Sequence, residues 1–180
     1  NETKRKTWKG GTFLVEHFKE LEKKIEEILE AMILAKGYED LIEDLYYEFC
    51  EWVYAETNAQ IRKEYGVNYA NKKVDIDKVI FDDKDVDKVC EYMAAYEKNK
   101  TQTNLNKAKL VLETEGNHIH NHLMYEKLAD GATAIYVEGG GGCDRCLNGK
   151  IEIVDDVKLP PYHPGCLCHI TEFYMEDDDV

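Results

Sequence analysis

The chain has 180 residues, 43% of them hydrophobic, which is long enough and apolar enough for a domain with a substantial core. Its 37 acidic residues outnumber 23 basic ones, and the net charge of −14 excludes general coating of nucleic acid or an anionic membrane as its default role. No apolar run approaches the ~20 residues of a membrane-spanning helix. Because the chain begins at Asn1 rather than Met, we expect it to be a piece of a longer product.

The first part of the chain is predicted to be helical. Residues 1–11 are expected to form a flexible arm, since four Lys or Arg residues precede the glycine pair that ends this segment. From Thr12 onward an apolar residue recurs every three or four positions, which predicts a long helix with one apolar seam, ended at Gly37. The seam consists of Leu14, Phe18, Leu21, Ile25, Ile28, Met32 and Ala35.

A second long helix is predicted over Tyr38–Tyr65, with an aromatic and aliphatic face between Leu41 and Val53. The short connection around Gly37 favours an antiparallel helical hairpin. We interpret the aromatic face as helix packing. We also consider the seam from Leu14 to Met32, or the aromatic face from Tyr38 to Val53, as the surface that would bind a partner.

The remaining elements are weaker helices followed by strands. Residues 67–83 are compatible with a short strand or a helical turn, and the apolar spacing then predicts helices at 85–96 and 107–129, the latter bent near Gly116. Short strands are predicted at 134–137, 151–154 and 169–174. The predicted fold class is α+β, with a helical domain at 12–130 and a small strand-rich module at 131–180 that ends in an acidic tail.

Four of the six cysteines lie in one C-terminal stretch, in the pattern C-x2-C-x16-H-x2-C-x-C-H from Cys143 to His169. Paired cysteines in an acidic chain favour an intracellular metal site over the dispersed cysteines of a secreted disulfide scaffold. A C-x2-C turn directs two thiolates at one ion, and zinc binds four such ligands in a tetrahedron. We therefore predict a structural zinc site with no coordination position open for catalysis.

The predicted zinc ligands are Cys143, Cys146, His163 and Cys166, with Cys168 as the alternative fourth ligand. Cys166 and Cys168 are two residues apart, so on an extended strand both face one side and His169 faces the other. Ordinary thiols or disulfides are the competing interpretation of these cysteines. Cys50 and Cys90 lie in helical apolar patterns, which indicates buried, small hydrophobic residues.

A second metal site is a weaker hypothesis. Glu115, His118 and His122 share one helix face at i, i+3 and i+7. Because Asn117 and Asn121 flank these histidines, an ordinary polar helix face explains the same pattern. The sequence has no nucleophile elbow, phosphate-binding loop or deaminase signature, and we predict that the protein is not an enzyme.

The C-terminal third resembles the phage Mu F-like minor head proteins, also called phage head morphogenesis proteins. The resemblance rests on Glu113-Thr114-Glu115, the Cys143-x-x-Cys146 turn, the Gly149-Lys150 pair, and the terminal run from Pro160 to Cys168, which follows the pattern P-P-x-H-P-x-C-x-C. It covers about the last 60 residues. In this chain Glu113 and Leu167 stand where the family has arginines.

The resemblance implies a minor capsid protein that associates with the portal, scaffold or major capsid protein during procapsid assembly and acts in genome packaging or ejection. It would be located in the virion, in the capsid interior or near the portal, and in the host cytoplasm during assembly. The alternative hypothesis is an acidic, phage-encoded binding module that inhibits a basic host protein. Neither hypothesis involves a membrane, and direct binding of nucleic acid does not fit the acidic composition.

Overall fold

Helices form most of the fold, and a small sheet completes it. The computed structural model describes residues 4–7, 10–79, 84–139 and 149–175. The helices are α1 (Gly10–Leu34), α2 (Glu39–Tyr65), α3 (Val67–Ala70), α4 (Lys84–Asn99) and α5 (Gln102–Leu128), with one 3-10 turn at Ile76–Lys78. The strands are β1 (Lys4–Thr7), β2 (Ala132–Glu138), β3 (Gly149–Glu152) and β4 (His169–Met175). The predicted α+β class is confirmed.

α1 and α2 form the predicted helical hairpin. The chain turns where Lys36 and Gly37 adopt positive φ angles of 50° and 78°, and the Tyr38 N–H donates to the Ala35 carbonyl oxygen at 3.0 Å. A residue without a Cβ adopts this left-handed backbone at little cost, which explains the glycine. α5 begins five residues before the predicted position 107, because the polar residues after Thr101 continue the helix instead of forming a loop.

From Leu21 to Ala35 the apolar seam of α1 lies in the core, while the side chain of Leu14 lies outside the described residues. Leu21, Ile25 and Met32 are at most 3% exposed, and α2 packs against α1 with Ile42 and Phe49 fully buried. The buried residues of this seam and of the aromatic face are not available to a partner, whereas Leu41 of that face is half exposed. The same core cluster includes Leu112, Ile119, Leu123, Ile135, Val137, Ile170 and Phe173. The strands thus share one core with the helices.

The sheet has the strand order β1-β4-β2-β3, and its neighbouring strands are antiparallel. Ile135 on β2 lies opposite Ile151 on β3 and Phe173 on β4. Lys6 on β1 also lies opposite Phe173, at the edge of β4 that faces away from β2. The sequence analysis assigned residues 1–11 to a flexible arm, whereas Lys4–Thr7 form a strand because β4 offers them a row of backbone hydrogen-bonding groups.

α5 is the central helix and contacts α1, α2, α4 and β4. It runs as one helix through Gly116, where we expected a bend. A Cβ at Gly116 would lie 2.8 Å from Leu21 Cδ1 and 3.3 Å from Phe49 Cζ. The missing side chain therefore lets α1 and α2 pack closely against α5.

Two asparagines of α5 hold the chain that enters β4. Asn117 Nδ2 donates to the carbonyl oxygens of Cys166 (2.8 Å) and Cys168 (2.9 Å). Asn121 Nδ2 donates to the Cys168 oxygen at 3.2 Å, and the Ile170 N–H donates to Asn121 Oδ1 at 3.0 Å. Both asparagines are 0% exposed, so they satisfy backbone groups that water does not reach. We call this pair the asparagine clamp; the interpretation of these residues as a polar surface was wrong.

Replacing Asn117 by Ala is expected to lower the free energy of unfolding by about 2–4 kcal/mol, because the buried Cys166 carbonyl loses its donor and the Cys168 carbonyl loses one of its two donors. Urea unfolding followed by circular dichroism measures this loss. Asn106→Ala is the matched control on the same helix: its side chain is exposed and should change stability by less than about 0.5 kcal/mol. Equal effects of the two variants would contradict the role assigned to the clamp.

Candidate metal centre

The structure describes three of the five predicted zinc ligands. His163, Cys166 and Cys168 lie between β3 and β4, in the segment that the asparagine clamp holds. Cys143 and Cys146 lie outside the described residues. The geometry below therefore concerns the second half of the predicted site.

A tight turn brings His163 and Cys166 to its two ends. The Cys166 N–H donates to the His163 carbonyl oxygen at 3.0 Å, with Pro164 and Gly165 as the central residues and a Gly165 φ of 77°. Proline followed by a residue with positive φ is typical of a type II turn. Residues at the two ends of such a turn lie close in space, as a pair of metal ligands from H-x2-C requires.

The turn rests on α5. The Gly165 N–H donates to Thr114 Oγ1 at 2.9 Å, and Thr114 Oγ1 donates to the Leu110 carbonyl oxygen at 2.8 Å. A Cβ at Gly165 would lie 2.8 Å from Leu110 Cδ1. Glycine at this position thus satisfies both the backbone angle and the close approach to the helix.

The thiols of Cys166 and Cys168, which are two residues apart, are both buried. Cys166 is 2% exposed and Cys168 is 1% exposed, and no disulfide joins them. The Cys168 N–H donates to Cys166 Sγ at 3.4 Å.

The alternation along this segment matches the expectation for an extended strand. The His169 ring contacts Phe18 of α1 edge-on, with ring centroids 5.5 Å apart. Leu167 lines a small cavity together with Phe18 and Glu22. Leu167 and His169 therefore lie on the α1 side, as two residues at alternate positions of an extended segment should.

The tautomer of His163 suits a metal ligand. Its Nδ1 lies 2.9 Å from the Pro164 carbonyl oxygen. Because a carbonyl only accepts, Nδ1 carries the hydrogen, and Nε2 of the neutral ring is the nitrogen with a lone pair. Metal-binding histidines commonly donate their second ring N–H to a backbone carbonyl in this way. The donors described here thus fit zinc, which prefers imidazole and thiolate.

Glu115, His118 and His122 do not form the second metal site that we considered. Glu115 is fully buried, and its charge acts on Tyr46 of α2. His118 and His122 stack on each other instead, with ring centroids 3.8 Å apart. Burial and the neighbouring His122 lower the pKa of His118 to about 3, and burial lowers the pKa of His122 to about 4.

Among the described residues, His163, Cys166 and Cys168 do not bring three metal-binding atoms within 4.8 Å of one another; the one group that does so lies elsewhere. Glu39 and Glu43 of α2 lie near Cys90 of α4, with their ligand atoms within 4.8 Å of one another. Burial and the two carboxylates raise the pKa of the Cys90 thiol to about 11, so it is protonated at neutral pH and a poor ligand. Sequence reasoning missed this cluster because only the packing of α2 against α4 creates it.

Comparisons with known proteins give no family for this chain. No protein-family model matches the sequence, and no curated protein or solved structure matches it significantly. None of the described helices combines the length and the apolar character needed to cross a lipid bilayer.

The stacked histidines predict a pH dependence of stability. Their folded pKa values lie below the ordinary 6.5, so the unfolded state binds more protons, and stability is lost as the pH falls below 6.5. Between pH 7 and pH 5 we expect a loss of about 1–2 kcal/mol per histidine in urea unfolding. His118→Gln/His122→Gln should show a flatter dependence in this interval. Imidazole NMR signals that titrate near pH 6.5 in the folded protein would contradict the assignment.

Proposed function

We propose that this chain is a non-enzymatic structural component of a phage head, of the kind represented by the Mu F-like minor head proteins, and that its C-terminal module binds one structural zinc ion. The observation that carries the proposal is the His163–Cys166 turn on α5, followed directly by the second buried thiol. These residues belong to the terminal motif on which the family resemblance rests.

The zinc ligands in this proposal are Cys143, Cys146 and His163, with Cys166 or Cys168 as the fourth. The ion would supply a cross-link between the C-x2-C turn and the segment held by the asparagine clamp. Metal binding to such a module contributes directly to folding, because the unfolded chain has no preformed site. Four protein ligands would leave no position for a substrate, which is why the proposed role is structural.

A structural role also agrees with the use of apolar surface in this chain. Most of the α1 seam after Leu21, together with Phe49 and Val53 of α2, is buried within the core, so partners would contact the mainly polar outer surface. The proposed partners are the portal, scaffold or major capsid protein, and the proposed location is the virion. The net charge of −14 supports the second candidate, an inhibitor of a basic host protein, since acidic surfaces attract basic partners.

The purified chain is expected to contain about one zinc per molecule by elemental analysis. Removing the ion with a chelator should lower the free energy of unfolding by about 4 kcal/mol, if free zinc had exceeded the dissociation constant about a thousandfold. Cys146→Ser should lose most of the zinc. Of Cys166→Ser and Cys168→Ser, the one that loses zinc identifies the fourth ligand.

Cys50→Ser/Cys90→Ser is the control for these variants, because both of its thiols lie in the helical core and should leave the zinc content unchanged. A reduced, metal-free wild-type chain with full stability would contradict the zinc site. So would zinc retained by Cys146→Ser.

Mass spectrometry of purified phage particles tests the proposed function separately from the zinc site. We expect the chain among the virion proteins, and affinity capture from infected cells should recover portal or scaffold protein with it. Capture of a basic host enzyme, with the chain missing from particles, would support the inhibitor candidate instead.

A further inference from the structure

The outward face of α2 combines negative charge with exposed apolar surface. Its carboxylates recur every three or four residues, and all of them are exposed. Leu41 and Tyr47 lie on the same side of the helix and are 50% and 40% exposed. We call this surface the acidic stripe; its members are Asp40, Leu41, Asp44, Tyr47, Glu48 and Glu51.

The basic residues of α2, Arg62 and Lys63, lie in its last turn, away from the acidic stripe. From Glu39 to Ile61 the sequence contains seven acidic residues and neither Lys nor Arg. Acidic residues at i and i+4, such as Asp40, Asp44 and Glu48, repel one another and disfavour the helix. Within the described part of the chain, the carboxylates of the stripe form no ion pair, whereas α1, α4 and α5 carry Lys–Glu or Lys–Asp pairs along their surfaces.

The negative field extends beyond the stripe. The pKa of Glu43 is raised by desolvation and then by the carboxylates around it, which include Asp87 of α4. Asp40 lies in the first turn of α2, where an acidic side chain interacts favourably with the helix N-terminus. Asp44, Glu48 and Glu51 lie beyond that turn, so the helix dipole does not explain them.

We propose that the acidic stripe is the docking face for a basic amphipathic helix of a partner protein. Lys or Arg residues spaced by one helical turn would meet Asp40, Asp44 and Glu48, while apolar residues of the same helix would cover Leu41 and Tyr47. Charge complementarity selects such a partner and speeds its association, and the apolar contacts prolong the complex. This inference rests on the surface of α2 alone. It does not require that the chain be a phage head protein.

The probe for this face is a synthetic helical peptide of about 14 residues, built from Lys and Leu on opposite faces, which is long enough to cover the stripe. Binding to the full chain is measured by fluorescence anisotropy at about 50 mM and about 300 mM salt. Asp44→Lys/Glu48→Lys should weaken binding at least about tenfold. Asp155→Lys/Asp156→Lys is the matched control: it changes the net charge equally, at two exposed positions after β3, and should alter affinity less than about twofold.

Three results would overturn the proposal. Equal losses in the two double variants would show that net charge, and not the stripe, attracts the peptide. Equal binding of a scrambled peptide with the same composition would show that charge alone attracts the peptide, without a defined docking surface. Light scattering that reveals a dimer of the chain, abolished by Asp44→Lys/Glu48→Lys, would assign the stripe to a second copy. Circular dichroism will check that both variants are folded. We expect this because the substituted residues are exposed.

Discussion

The asparagine clamp determines how the C-terminal module sits on the helices. Asn117 and Asn121, one turn apart on α5, satisfy the backbone of the extended segment from Cys166 to Ile170. A shift of this segment by one residue would reverse which side chains face the helices, so the clamp fixes the orientation of both thiols. Thr114 secures the preceding turn in the same manner, through the Gly165 N–H. The proposed zinc site thus depends on three polar side chains of one helix.

α5 can carry these polar residues because each of them finds a partner inside the fold. Thr57 and His120 are hydrogen-bonded at 3.2 Å across the α2–α5 interface. The Lys127 ammonium donates to Asn58 Oδ1 and to the Ala70 carbonyl oxygen, which ties α3 to the end of α5. Buried polar groups stabilise a fold only when they are satisfied, and they then favour one arrangement over its neighbours. Polar bonds of this kind align α2, α3 and β4 on the central helix.

Most of the apolar surface of the helices is buried in the core, and the exterior is mainly charged. The functional proposals depend on this arrangement. Most apolar residues of α1 and α2 are buried in the core or packed against it, so a partner would contact the mainly polar outer surface. There the acidic stripe of α2 offers carboxylates that form no ion pair with any described residue, beside exposed Leu41 and Tyr47. A structural metal in the C-terminal module and a charged docking face on the helical hairpin would be compatible, since they lie on different elements. Together they would suit the assembly protein that we propose.

The sequence determined the features that depend on short-range order. Apolar periodicity was sufficient to predict α1, α2 and the α+β class, because helix formation follows the spacing of residues within a few turns. Gly37 was recognisable as a helix end for the same local reason. Tertiary structure decided the features that require two distant segments to meet. Lys4–Thr7 form a strand because β4 lies beside them, and Cys90 lies near Glu39 because α4 packs on α2. Asn117 and Asn121 have the sequence signature of a solvated helix face, and only the chain folded over them makes them part of the core.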